Sequence, residues 1–189
     1  MMNRIGSIAC GLLLLTFTGL AAPGNPDLNR LKPLTPAGFT VSNTSLHLPL
    51  SGPGTRDLVG IMVKGDDATS RVVVVPAKGS PRWCISKGKP DLPAPVQSLT
   101  PGDKITDLVY SANLKGKVHL FVTTFLAESY TLHVFAPTAK DYQEVFQVSS
   151  MERPRFDPAT QVLHAVNYDG KEPVKVNYTW KGDRFVKAK

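Results

Sequence analysis

The chain has 189 residues, 42% of them hydrophobic, with 22 Lys and Arg against 15 Asp and Glu for a net charge of +7. That length suits one domain with a sizeable core. The 16 prolines and 15 glycines punctuate short β-prone runs, which argues against a helical protein.

Residues 1–21 read as a cleaved export signal. Arg4 is their only charged residue, Ile8 to Leu20 are mostly apolar, and Gly19-Leu20-Ala21 sets small residues before a cleavage site at Ala22. The apolar run is shorter than the roughly 20 residues that span a bilayer, and Pro23-Gly24 end it at once. The expected compartment is therefore the periplasm. Removing Arg4 leaves 21 basic against 15 acidic residues, a net of +6. The excess reads either as a solubilising charge or as an attraction to anionic envelope partners, while nucleic acid drops out with the cytoplasm. Cleavage leaves a single cysteine, Cys84, so no internal disulfide is available, and Trp83-Cys84-Ile85 reads as a short strand with a buried thiol.

Residues 22–38 carry Pro23, Pro26, Pro33 and Pro36 and read as an N-terminal Pro-rich arm before a single β-rich domain over 39–189. Strands are expected over Thr40 to Leu48, Leu58 to Val63 and Arg71 to Pro76, with Lys64-Gly65-Asp66-Asp67 joining the last two. Val72-Val73-Val74-Val75 does not alternate and should be buried on both faces. Lys87 to Gly102, with Pro90, Pro93, Pro95 and Pro101, reads as a long surface loop.

Further strands are expected over Ile105 to Tyr110, Val118 to Phe125, Tyr130 to Phe135 and Tyr142 to Val148. An Asp-Pro turn at Asp157-Pro158 leads into Val162 to Val166, and Asp169-Gly170 signals a hairpin. In Val174 to Trp180, Val174, Val176, Tyr178 and Trp180 share one face and Lys175, Asn177 and Thr179 the other. Lys181-Gly182-Asp183 turns the chain into Arg184 to Val186. No segment reads as a helix. The expected class is all-β: an antiparallel meander, propeller-like, or a sandwich. An echo between Asp57-Leu58-Val59 and Asp107-Leu108-Val109, each followed by Lys-Gly, suggests either a repeated three- or four-strand unit or a chance likeness.

No catalytic motif stands out. His47, His119, His133 and His164 lie far apart in strand patterns, and no spacing supports zinc or a hydrolase elbow. Ser111 to His119 has the outline of a calcium loop, with Ser111, Asn113 and Lys115 at the ligand positions and His119 at the later acidic one. A cation at a ligand position repels calcium, so this degenerate loop is expected to be empty and no cofactor is expected.

Over residues 105–187 the chain resembles bacterial periplasmic immunity proteins of the propeller-like type, which pair with peptidoglycan hydrolases and are similar to periplasmic lysozyme inhibitors. The residues that carry the resemblance are Leu132-His133-Val134-Phe135-Ala136-Pro137, Tyr142 to Phe146, Pro154-Arg155-Phe156-Asp157, and Tyr178-Thr179-Trp180-Lys181-Gly182-Asp183-Arg184-Phe185. The Ser-Gly-x-x-Tyr motif of another inhibitor class is incomplete, since Ser51-Gly52-Pro53-Gly54-Thr55 ends in Thr. The resemblance implies a non-enzymatic exported protein that neutralises a toxin or hydrolase in the periplasm. The alternative is a basic accessory protein that holds cell wall or anionic lipid, and an enzyme comes third. Expected partner-binding loop residues are Arg82, Trp83, Lys87, Lys89, Lys115 and Lys117.

Overall fold

A computed structural model describes residues 25–65, 69–93, 105–126 and 128–188. The expected signal segment 1–21, Asp66-Asp67 and the second half of the proline-rich loop lie outside the described residues.

The protein is all-β, with thirteen strands among the described residues. β1 (Phe39–Leu48), β2 (Asp57–Lys64), β3 (Thr69–Val75) and β4 (Arg82–Ile85) form one antiparallel meander. β6 (Val109–Leu114), β7 (Lys117–Leu126), β8 (Ser129–Pro137) and β9 (Tyr142–Ser150) form a second. The last strands of the two meanders pair in parallel, Cys84 opposite Tyr142, and join both into one curled sheet. β5 (Leu92–Pro93) adds to β3. β10 (Arg155–Asp157), β11 (Val162–Tyr168), β12 (Pro173–Lys181) and β13 (Arg184–Lys187) make a separate four-stranded antiparallel sheet.

The period-2 alternation of strand side chains sorts the core into three clusters. The inner face of the curled sheet gathers Val59, Ile61, Val72, Val74, Cys84, Val109, Leu120, Val122, Phe135 and Tyr142. Its outer face needs two covers. Over the first meander, Leu58, Met62, Val73 and Val75 pack beneath Leu31. Over the second, Phe121, Leu132, Val134 and Val148 pack against Leu163, Ala165, Trp180 and Phe185 of the small sheet. The Val72–Val75 run is thus buried on both faces, as its lack of alternation implies. In β12, Val176, Tyr178 and Trp180 face the core as expected, whereas Val174 lies toward the strand's end and is 36% exposed.

A bulge between Val134 and Phe135, where β9 carries one extra residue, exchanges the faces of β9. Tyr142 and Glu144 precede it and face inward, while Phe146 and Val148 follow it and join the outer aromatic cluster. Phe146 meets Phe185 at 5.1 Å and Tyr178 at 5.3 Å between ring centroids.

Several expectations are corrected. The proline-rich arm holds a helix, α1 (Pro26–Leu31), followed by a 3-10 turn (Lys32–Leu34). Asn25 caps α1 by accepting from the Asp27 amide at 3.0 Å, and Pro26 opens it, where a missing N–H costs nothing. Leu31 anchors this helix on the sheet with no exposed surface. Ile105–Leu108 is a helical turn, α2, rather than the start of a strand. Leu92–Pro93 leaves the expected long loop to pair with Ser70 and Thr69. Arg155–Asp157 is strand β10 ahead of the turn. The supposed calcium loop is a tight hairpin: Asn113 pairs with Val118 and Leu114 with Lys117, leaving Lys115 and Gly116 (φ 48° and 87°) as a two-residue turn. The architecture does repeat as two four-stranded meanders, but Asp57 opens β2 and Asp107 lies in the turn before β6, so the Asp-Leu-Val echo is no structural repeat.

Candidate functional site

Two polar constellations stand apart from ordinary surface. The first is internal. Ser86 Oγ donates to Glu144 Oε2 at 2.9 Å, His133 Nδ1 donates to Glu144 Oε1 at 2.6 Å, and His133 Nε2 lies 3.4 Å from Thr124 Oγ1. Acid, imidazole and hydroxyl stand in the order that activates a nucleophile. Here, however, His133 has no exposed surface, Thr124 is 2% exposed, and the Thr124 hydroxyl donates to the Thr131 carbonyl. In this arrangement the chain satisfies polar groups inside the sheet, with the imidazole and the threonine hydroxyl enclosed.

The second is the outer face of the small sheet. Its inner face packs on the second meander, and no described element covers its outer face. Register places Arg155, His164 and Asn177 in one row across β10, β11 and β12, with Val166 opposite Lys175 in the next row. These residues, with Glu152 and Arg153, line a cleft of about 510 Å³. A neighbouring cleft of about 370 Å³ shares Arg153 and Arg155 and is completed by Thr106, Asp107, Tyr110 and Phe156. The two clefts therefore form a continuous groove around β10.

Cations outnumber carboxylates in this groove, Arg153, Arg155 and Lys175 against Glu152 and Asp107. Arg153, Arg155 and Lys175 face one carboxylate in the larger cleft, that of Glu152. Arg153 Nη1 lies 3.4 Å from Asp107 Oδ2 and so bridges the two arms. Arg155 and Lys175 are exposed. His164 Nδ1 donates to Asn177 Oδ1 at 2.8 Å, which fixes the ring and leaves Nε2 as its available atom. In the smaller cleft, burial pushes the Tyr110 hydroxyl well above its usual range against the opposing effects of the Phe156 backbone and Arg153, so it stays protonated. Beyond the groove, Met151 is 48% exposed and Tyr168 58% exposed, and both line a further shallow cleft with Val166 and Asn167.

The expected partner-binding residues are dispersed. Arg82 and Trp83 belong to strand β4, not to a loop. Arg82 Nη1 donates to the Thr138 carbonyl at 3.4 Å, and Trp83 packs on the cluster beneath α1. Lys87 lies within a turn that Ser86 and Lys89 close, beside Asp91 and Gln147. Lys115 occupies the β6–β7 turn, and Lys117 lines a separate cleft of about 540 Å³ with Pro49 to Pro53. Lys87 and Lys89 share a cleft. The groove residues Arg155, Lys175 and Asn177 were visible in the sequence as strand or turn residues, but a basic face needs the pairing of β10 with β11 and β12.

The histidines all lie in strands. His119 is buried edge-on against Trp180 at 5.0 Å, and burial holds its imidazole below the usual range. His47 sits 3.0 Å from Asp27. No group of three or more His, Cys, Asp or Glu among the described residues is arranged to hold a metal. No described helix is long and apolar enough to cross a membrane.

Comparison with protein-family models, characterised proteins and solved structures finds no match to this chain.

Proposed function

We propose that this chain acts outside the cytoplasm as a binding protein that neutralises a protein partner, an envelope-directed toxin or peptidoglycan hydrolase, through the outer face of its small sheet. One observation carries the reading: a rigid sheet, buried on one side by an aromatic core, leaves its other side uncovered by the described residues, with a basic groove bordered by Met151 and Tyr168. Arg, Tyr and Met are among the residue types enriched at protein interfaces, and Arg and Tyr among those that concentrate their binding energy. The export pattern of residues 1–21 supports the compartment.

The test is periplasmic co-expression of the full chain with the product of the adjacent gene. The expected result is that cells survive a product that lyses them alone, and that Tyr168→Ala weakens this protection. Equal lysis with and without the chain refutes the neutralising role. Salt-sensitive retention on purified sacculi, unaltered by Tyr168→Ala, assigns it instead to an envelope accessory protein.

A further inference from the structure

We infer that the groove around β10 recognises an extended acidic segment of a protein partner, with carboxylates four residues apart. This rests on the reading of the outer face as the binding surface, and names the chemistry that the face accepts.

Spacing supplies the first part of the argument. Arg155 and Asn177 lie in one row, two inter-strand steps apart, and Lys175 lies two residues along β12 from Asn177. With strands ~4.8 Å apart and a rise of ~3.4 Å per residue, the Cα atoms of Arg155 and Lys175 are about 12 Å apart on the diagonal. An extended chain covers that distance in three to four residues, and because its side chains alternate, the positions four apart present both carboxylates to the groove. His164 and Asn177 stand between the two cations, locked to each other, and present a polar floor beside the apolar Val166.

Charge supplies the second part. Arg153 is engaged by Asp107, which leaves Arg155 and Lys175 as the exposed cations of the larger cleft, with Glu152 as its lining carboxylate. An anionic occupant is therefore favoured at both ends, and the Arg155 guanidinium can take a carboxylate bidentately. Glu152 adds a discriminating feature, because it repels a uniformly anionic surface yet accepts a Lys or Arg flanking the acids of a peptide. Shape agrees with this: the cations line a recess, which a peptide enters more readily than a flat layer of lipid headgroups does. Met151 and Tyr168 at the rim offer apolar contact to residues beyond the acidic ones.

The experiment is selection of a random twelve-residue peptide library on the full chain at low salt. Binding of the enriched peptides is then measured on wild type, on Arg155→Glu/Lys175→Glu, and on Arg155→Gln/Lys175→Gln should charge reversal impair folding. The expected result is enrichment of peptides with two Asp or Glu four positions apart. Their affinity should fall at least tenfold in either double variant with unchanged circular dichroism. Enrichment of neutral or basic peptides that still need Tyr168 overturns the acidic assignment while leaving the binding face in place. Failure to select any peptide overturns the acidic-segment occupant, and the co-expression test then decides the binding face by itself. Binding of phosphatidylglycerol vesicles that depends on Arg155 and Lys175, without peptide enrichment, overturns the peptide in favour of a lipid surface.

Discussion

Leu31 and Gly60 provide a quantitative test of how the N-terminal helix is held. Leu31 is fully buried in the cluster formed by Leu58, Met62, Val73 and Val75. Gly60 lies beneath it: a methyl group there would fall 2.9 Å from Leu31 Cδ1, closer still to Cδ2, and 3.1 Å from Val73 Cγ1. Leu31→Ala removes a buried side chain and leaves a cavity, costing about 3 kcal/mol within the usual range for such changes. Gly60→Ala keeps the leucine but drives into it, costing about 2 kcal/mol by overpacking. Independent effects would sum to about 5 kcal/mol. Once Leu31 has been cut back to alanine, no Cδ atoms remain for the new methyl to strike. The double variant should therefore cost only about 3 kcal/mol, a coupling near 2 kcal/mol characteristic of residues in contact. Urea unfolding of wild type, both single variants and the double variant measures this cycle. Limited proteolysis should show early cleavage around residues 32–38 in Leu31→Ala. Additivity within about 0.5 kcal/mol would refute the plug, since non-contacting sites add to that accuracy.

Other outcomes follow from separate parts of the molecule. Asp57 has no exposed surface; burial pushes its carboxyl up, but hydrogen bonds from Ser51 at 2.6 Å, Ala77 at 3.1 Å and Thr55 at 3.1 Å outweigh this and hold it below the usual range. A depressed carboxyl contributes stability that is fully present above its unfolded pKa, about 4, and is lost as pH falls through the lower folded value. Asp57→Asn should therefore cost about 2–4 kcal/mol at neutral pH and flatten the acid limb of the stability curve, read from urea midpoints at successive pH values. Cys84 has no exposed surface, and burial pushes its thiol far up, so alkylation mapped by mass spectrometry should spare it in the native protein and modify it in urea. Lys115 holds a left-handed conformation at φ 48° in the two-residue turn, so Lys115→Asn should raise stability by about 0.5–1 kcal/mol, measured by urea unfolding.

Much of the strand pattern was legible because alternation and turn chemistry are local. Val174–Trp180 announced its two faces, and the doubly buried valines announced a strand covered on both sides. The failures share a cause. Pro26 and Pro33 suggested an extended arm, yet Pro at a helix start is compatible with a helix. What secures α1 is the space over Gly60, a long-range fit between Leu31 and β2 that no local pattern encodes. The oxygen-bearing residues Ser111 and Asn113 looked like metal ligands, but their alternation is equally that of a strand, and pairing of β6 with β7 decided between the two.

The candidate site divides in the same way. Composition and the leading segment determined a basic chain with an export pattern, and local patterns determined strands and the polar face of β12. Which polar face the described elements leave uncovered depended on tertiary structure alone. The aromatic side of the small sheet is taken up by Phe121, Phe146 and their neighbours, so Arg155, His164 and Lys175 are left together on the other side. Sequence neighbours such as Arg82 and Trp83 went instead into a strand under α1, because burial of apolar surface, rather than proximity in the chain, decides which cations end up side by side.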